Sequence, residues 1–262
     1  MPVAHPVAPR TVAPRTVALA ALPAAAVALG WVLTASLTGP SAHDVAPLPA
    51  PAPPVVAAAW TAPAGSQPTA TVPTVPRPSA AWVASVAART GIPARMAQAY
   101  GTAQLVVQAE DPGCHLGWTT LAGIGAIESD HGRHDGATVG ADGIDRPTVL
   151  GPPLDGTNGN RSLPDTDGGR LDDDTTWDRA VGPMQFIPQT WARWGRSVAG
   201  GVPDPSNVDD AALTASVYLC AAGQDMSTAA GWTAAIATYN APFAYAVDVS
   251  GVANTLAARS AA

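Results

Sequence analysis

The sequence predicts a mainly helical domain that carries one long acidic loop. Apolar residues recur at helical spacing in several segments after residue 79, and capping residues or prolines mark where those segments begin. The alternating pattern of a β-strand is weak throughout. Between residues 130 and 180 the apolar periodicity disappears, and Gly, Pro and Asp dominate instead. We therefore expect helices on both sides of this loop, with at most a small β-hairpin inside it.

Three helices are predicted before the loop. Ser79 can cap the first, with the sequence AAWVASVAART, which Gly91 ends. Pro93 suits the first turn of the second helix, ARMAQAYGTAQLVVQAE. The third helix is expected from about Trp118 to Ser129, and it contains most of the segment LAGIGAIESDHG.

Further helices are predicted after the loop. The segment AVGPMQFIPQTWARWG indicates a turn that leads into a short helix, and DDAALTASVYLCAAG indicates a longer one with Asp209 or Asp210 near its start. Ser227 can cap TAAGWTAAIATYN, and Pro242 can open a last helix, FAYAVDVSGVANTLAA. Residues 79–262 are therefore expected to form one domain, which is long enough for a sizeable core.

The first 78 residues differ from this domain in composition. Residues 1–42 begin with a basic flank that has no acid and continue as an uncharged apolar run. This pattern is typical of an export signal or of a retained membrane anchor, and a buried core helix is the alternative. Residues 43–78 are rich in Ala and Pro, which is typical of a semi-rigid spacer. We expect the domain to lie outside the cytoplasmic membrane, either anchored to it or secreted.

Composition excludes several classes of function. The formal net charge is −7 and the chain contains no Lys, whereas nucleic-acid binding needs clustered Lys and Arg. The absence of Lys also excludes P-loop phosphate binding and Schiff-base chemistry. Cys114 and Cys220 are the only cysteines, and in an exported chain such a pair most simply forms one disulfide. No Cys-x-x-Cys or His-x-x-x-His spacing supports a zinc site.

Glu128 is one of only two Glu residues in the chain and is a candidate general acid. Leu121, Ile124 and Glu128 are spaced by three and four residues, so Glu128 continues the helical stripe that faces the core. Apolar neighbours and the negative end of the helix dipole would raise its pKa, and a protonated carboxyl can catalyse glycosidic cleavage. Glycines at 123 and 125 would let another backbone or a ligand come close. The alternative is a Glu that points to solvent or caps a neighbouring element.

Three segments in this order, AIESDHG, AVGPMQFIPQTW and AIATYNAP, resemble the lytic murein transglycosylases, in particular the MltB-like group. The likeness covers roughly residue 90 to the C-terminus, and DTDGGRLDDDTTWDRAVGPMQF looks like the actinobacterial members. The resemblance implies a lysozyme-like fold of the goose type. It also implies cleavage of the MurNAc-GlcNAc linkage of peptidoglycan without water, which gives a 1,6-anhydro sugar. The implied partner is the peptidoglycan glycan strand, and we expect a monomer.

The same resemblance implies the site residues. Glu128 occupies the position of the family's single acid and base, which protonates the leaving oxygen and then deprotonates the C6 hydroxyl of the same sugar. The residues implied to bind substrate are Ser129, Met184, Gln185, Phe186, Tyr239 and Asn240. The Tyr239 hydroxyl is expected near the catalytic carboxyl, for which a protonated Glu would be a suitable partner.

Two other functions remain open on the sequence. A muramidase of the same fold would need a base that activates water, and a wall-binding module would keep the groove without turnover. Asp130 lies two residues after Glu128 and would point in a different direction on a helix, so it is not expected to serve as a second carboxylate. Asp145 and Asp155 remain possible.

The acidic loop carries ten Asp and three Arg between residues 135 and 178. Its segment Asp165 to Asp174, DTDGGRLDDD, resembles a calcium-binding loop. The EF-hand spacing is not met, because the fifth place is Gly169 and the twelfth is Thr176. We therefore expect a solvated acidic loop and no cofactor, with a non-standard calcium site as the alternative.

Overall fold

The computed structural model describes residues 75–157, 159–222 and 225–261, and this part of the chain is mainly helical, as predicted. The predicted export segment 1–42 and residues 43–74 of the predicted spacer lie outside it. No helix in these ranges has the length and apolar character needed to cross a membrane. The elements, in chain order, are α1 Ala80–Thr90, α2 Ala94–Glu110, α3 Trp118–Ser129, β1 Thr138–Val139, β2 Asp145–Arg146, α4 Pro188–Trp194, α5 Val208–Ala221, α6 Ala229–Tyr239 and α7 Phe243–Ala261.

The first helices begin and end where the capping residues predict. The Ser79 hydroxyl accepts a hydrogen bond from the Trp82 backbone N–H, and Gly91 ends α1 in the left-handed conformation. Helix α2 begins immediately after Pro93. Helix α3 has the predicted bounds.

Helix α5 has Asp209 and Asp210 in its first turn, as predicted, and the Asn207 side chain caps it by accepting from the Asp209 backbone N–H. One later cap differs from the prediction by one residue. Helix α6 is capped by Thr228 and not by Ser227. The Ser227 hydroxyl instead donates to the Asp225 carboxylate, and this local turn moves the helix start one residue along.

Helix α3 is buried on nearly all sides and not only along one stripe, which corrects the prediction. Nine of its twelve residues are buried, and it packs against α2, α5 and α7. A Cβ at Gly123 would lie 2.8 Å from the Val249 carbonyl oxygen of α7, and a Cβ at Gly125 would collide with the Tyr100 hydroxyl of α2. Gly123 therefore lets the backbone of α7 come close, as one of the two predicted explanations states, whereas Gly125 makes room for a side chain of α2.

The acidic loop is folded by its own polar groups. The predicted hairpin is present, since β1 pairs with β2 in antiparallel register. Isolated bridges join Leu150 to Val181 and Pro164 to Trp177. The Asp165 carboxylate accepts hydrogen bonds from the backbone N–H groups at 167, 168 and 169. Side-chain acceptors thus replace an apolar core as the source of order in this segment.

Cys114 and Cys220 form the predicted disulfide. The bond ties the segment before α3 to the last turn of α5 across a sequence separation of 106 residues. In the chain-entropy model, closing a loop of about 100 residues stabilises the folded state by about 4.7 kcal/mol. The disulfide therefore fixes the connection between α2 and α3 against the end of α5.

Candidate active site around Glu128

Glu128 lies in the last turn of α3 and is partly buried. Burial raises its pKa from the ordinary 4.5 to about 7, while a hydrogen bond from the Tyr245 hydroxyl opposes part of this rise. The Tyr245 oxygen lies 2.5 Å from Glu128 Oε1. The side chain is therefore a carboxyl group that exchanges a proton near neutral pH.

Tyr245 is a site residue that the sequence did not predict. It lies in the first turn of α7, and burial together with the negative charge of Glu128 raises its pKa far above the ordinary 10. The phenol consequently keeps its proton and acts as a donor to the carboxylate. The sequence shows only a tyrosine near the predicted start of a helix. Its contact with Glu128 results from the packing of α3 against α7, which local sequence does not reveal.

The partner of Tyr239 differs from the expectation. Its hydroxyl donates to the Met184 backbone carbonyl at 2.6 Å, and the hydroxyl bonded to Glu128 belongs to Tyr245. Burial, followed by the charge of Glu128, raises the pKa of Tyr239, so the phenol does lie within the electrostatic field of the carboxylate. Tyr239 thus holds the segment 182–186 next to Glu128.

Gln185 is held in an unfavourable backbone conformation beside this segment. Its φ of 49° falls in the left-handed region, which non-glycine residues seldom adopt. The side-chain amide nitrogen donates to the carbonyls of Gly182 at 2.9 Å and Val149 at 3.2 Å. A Cβ at Gly151 would lie 3.0 Å from the Gln185 amide oxygen. The surroundings therefore fix this side chain in one orientation.

A pocket of about 300 Å³ brings together four of the predicted substrate-binding residues. Glu128 does not line this pocket, but its charge acts on Tyr239, which does. Leu154 and Arg161 of the acidic loop form part of its wall. The full lining is Leu154, Arg161, Gln185, Phe186, Ile187, Thr190, Tyr218, Thr238, Tyr239 and Asn240.

A second pocket of about 550 Å³ continues the first. The two share Thr190, Tyr218 and Thr238, and the second adds Gln189, Arg193 and Trp194. The ring centroids of Trp194 and Tyr218 lie 5.5 Å apart, and those of Tyr218 and Tyr239 lie 6.0 Å apart. The two pockets form one groove, named here the aromatic groove, with a row of three aromatic rings along it.

Two of the predicted substrate-binding residues lie in the core. Ser129 is 1% exposed and Met184 is 0% exposed, so neither offers surface to a ligand. The Ser129 hydroxyl donates to the Pro183 carbonyl at 2.7 Å and accepts from the Gly132 N–H at 2.8 Å. Both residues instead join the end of α3 to the segment that carries Gln185.

The other candidate carboxylates have local partners. Asp130 is exposed and pairs with Arg133 at 2.7 Å. Asp145 is buried in the hairpin, where its carboxylate accepts from the Val149 N–H, and burial raises its pKa to about 6. Hydrogen bonds from Thr157 lower the pKa of Asp155. Within the described ranges, burial and Tyr245 account for the shift at Glu128, and no neighbouring carboxylate contributes to it.

Comparisons of the chain with protein-family models, curated proteins and solved structures find no match.

Stability should depend on pH through Glu128. The unfolded carboxyl ionises near 4.5, whereas the folded one keeps its proton to about 7. The free energy of unfolding should therefore fall as pH rises through this window, by about 2 kcal/mol for this group after discounting for its partial exposure. Urea unfolding between pH 4 and 8 measures the effect, and Glu128→Gln should remove that part of the slope.

Glu110→Gln is the matched control, because Glu110 is exposed and pairs with Arg196 at the surface. In this control, the free energy of unfolding should change with pH as it does in the unmodified chain. If the free energies of unfolding of Glu128→Gln and of the unmodified chain differ by the same amount at every pH, the pKa shift assigned to Glu128 is wrong.

Proposed function

We propose that this protein is a peptidoglycan lytic transglycosylase with a lysozyme-like fold, which acts outside the cytoplasmic membrane. The observation that carries the proposal is one partly buried carboxyl group with a pKa of about 7, whose charge acts on Tyr239, a residue that lines the aromatic groove. A group with this pKa is protonated often enough to act as an acid and ionised often enough to act as a base at neutral pH.

The chemistry needs only this carboxyl group and the substrate. Glu128 gives its proton to the glycosidic oxygen between MurNAc and GlcNAc, the bond from C1 to that oxygen breaks, and GlcNAc leaves with the proton. The resulting carboxylate then takes the proton of the C6 hydroxyl of the same MurNAc, and O6 bonds to C1 to form the 1,6-anhydro ring. Glu128 is thereby returned to its protonated form.

Tyr245 stabilises the carboxylate between these two steps. Its hydrogen bond favours the ionised form of Glu128, because a phenol donates to a carboxylate more strongly than to a neutral acid. Burial favours the protonated form. The balance of the two effects holds the pKa close to neutral pH.

The aromatic groove suits a polysaccharide strand. It joins two pockets that share three residues, and Trp194, Tyr218 and Tyr239 contribute aromatic surface to its lining. The Gln185 amide oxygen can accept from sugar hydroxyl groups, since both of its N–H groups donate to backbone carbonyls, and the Asn240 amide can donate to and accept from hydroxyl and N-acetyl groups. Aromatic surface with a few fixed polar groups is typical of small-molecule and saccharide sites.

The absence of a coupled carboxylate favours this function over a muramidase. Hydrolytic glycosidases place a second carboxyl group within about 5 to 9.5 Å of the acid. Burial and the Tyr245 hydrogen bond account for the pKa of Glu128, so this carboxyl group carries no sign of the closely paired carboxylates of a retaining hydrolase. The C6 hydroxyl of the substrate supplies the nucleophile in the proposed reaction instead.

A wall-binding module without turnover is less well supported. Holding a carboxyl group at a raised pKa destabilises the folded state at neutral pH, and binding alone gains nothing from it. The predicted export segment and the disulfide both fit a protein that works outside the cytoplasm.

Glu128→Gln should abolish the release of soluble fragments from purified sacculi, with a loss of at least about 10³-fold. The amide keeps the shape and the Tyr245 contact but has no proton to transfer. Turbidity clearing and mass spectrometry of the products measure this with the full chain, and Glu110→Gln should retain activity.

The product masses separate the alternatives. Ends that are one water lighter than a reducing sugar are expected, whereas reducing ends would indicate a muramidase. Binding to sacculi without any release by the unmodified chain would indicate a wall-binding module.

Tyr245→Phe should shift the alkaline limb of the pH–activity profile to higher pH. Removing the donor disfavours the carboxylate and raises the pKa of Glu128, by about 1 pH unit for the loss of a hydrogen bond to a charged group. The rate of fragment release measured from pH 5 to 9 tests this. Tyr239→Phe should leave the limb in place, because the hydroxyl of Tyr239 bonds to a backbone carbonyl. A limb that stays fixed in Tyr245→Phe would contradict the assigned role.

A further inference from the structure

We propose that the acidic loop binds one calcium ion through the carboxylates of Asp165, Asp167 and Asp178. One carboxylate oxygen from each residue lies within 4.8 Å of the other two. Asp178 is fully buried, and Asp165 and Asp167 are half-buried. A cation between three carboxylates at this separation would be attracted by all three charges.

The state of Asp167 points to such a cation. Its side chain is only 10% exposed, and its Oδ2 atom is buried with no hydrogen-bond partner among the described residues. The other oxygen accepts from the Arg170 backbone N–H at 3.1 Å. The Arg170 guanidinium stays 3.8 Å from Oδ2 on a side chain that is 61% exposed. A buried carboxylate oxygen without a donor costs free energy, and a bound metal ion would supply the missing partner.

The other two carboxylates are held in place and still have ligand capacity. Backbone N–H groups fix Asp165, and the N–H and hydroxyl of Thr166 each donate to one oxygen of Asp178. Each of the Asp178 oxygens keeps a further lone pair. The site is therefore organised before any metal ion arrives.

The ligand set favours calcium. All three donors are hard oxygen atoms, which excludes a zinc preference for nitrogen and sulfur. Calcium accepts six to eight oxygen ligands in irregular geometry, and water can complete its shell. Magnesium demands a regular octahedron and seldom takes three carboxylates. This inference revises the expectation of a solvated loop.

Asp178 explains why spacing alone did not predict the site. It lies two places beyond the twelfth position of an EF-hand that would start at Asp165, where the sequence has Thr176. The fold brings it back through the bridge between Pro164 and Trp177. The Asp178 carbonyl also accepts from the Leu154 N–H at 3.0 Å, and Leu154 lines the aromatic groove. The ion would stabilise one wall of that groove.

The test measures metal binding on the full chain after treatment with chelator. Calcium should bind with a dissociation constant of about 10⁻⁴ to 10⁻³ M, as extracellular calcium modules do. The Tm should rise by about 3 to 6 °C at ten times that constant. Terbium should replace calcium and emit on excitation of Trp177, which lies next to Asp178. Neither readout depends on glycan cleavage, so the inference stands or falls separately from the proposed function.

Asp167→Asn should abolish the rise in Tm with calcium and the terbium emission. It should not lower the Tm of the metal-free chain, because the amide removes one of three neighbouring negative charges. Asp173→Asn is the matched control, since Asp173 is exposed in the same loop with a φ of 59° that Asn tolerates. The control should respond as the unmodified chain does. No calcium or terbium binding up to roughly 10 mM, or equal responses from the two variants, would overturn the site. An equal response to magnesium would overturn its assignment to calcium.

Discussion

The structure depends on the burial of a helix that ends in a carboxyl group. Helix α3 packs so closely against α2 and α7 that no side chain larger than hydrogen fits at Gly123 or Gly125 without a shift. Glu128 follows one turn later on the same rigid helix and is withdrawn from water with it. Its raised pKa is therefore a consequence of core packing and requires no second charge.

The same contacts that hold the core also arrange the candidate site. Helix α7 packs on Gly123 through Val249 and supplies Tyr245 to Glu128. Ser129 joins the end of α3 to Pro183, two residues before Gln185. A change in how these elements pack would move the acid, its donor and the groove together. This arrangement gives the fixed geometry that proton transfer to a bound sugar would require.

Local sequence signals predicted the helices and the raised pKa of Glu128, because caps, prolines and apolar spacing act over a few residues. They failed where contacts join distant parts of the chain. Tyr245 and Glu128 are 117 residues apart, and no local pattern pairs them. Ser129 and Met184 were expected to contact substrate and instead lie in the core. The cap is Thr228 and not the neighbouring Ser227, because Ser227 takes part in the turn that begins at Asp225, and the helix starts one residue later.

The most direct measurement is the pKa of Glu128 itself. Glu110 and Glu128 are the only Glu residues, so labelling Glu side chains with ¹³C gives two carboxyl resonances, and Glu110→Gln assigns them. We expect the Glu128 resonance to titrate with a midpoint near pH 7. A midpoint near 4.5 would show a solvated carboxylate and would contradict the assignment of Glu128 as the acid and base.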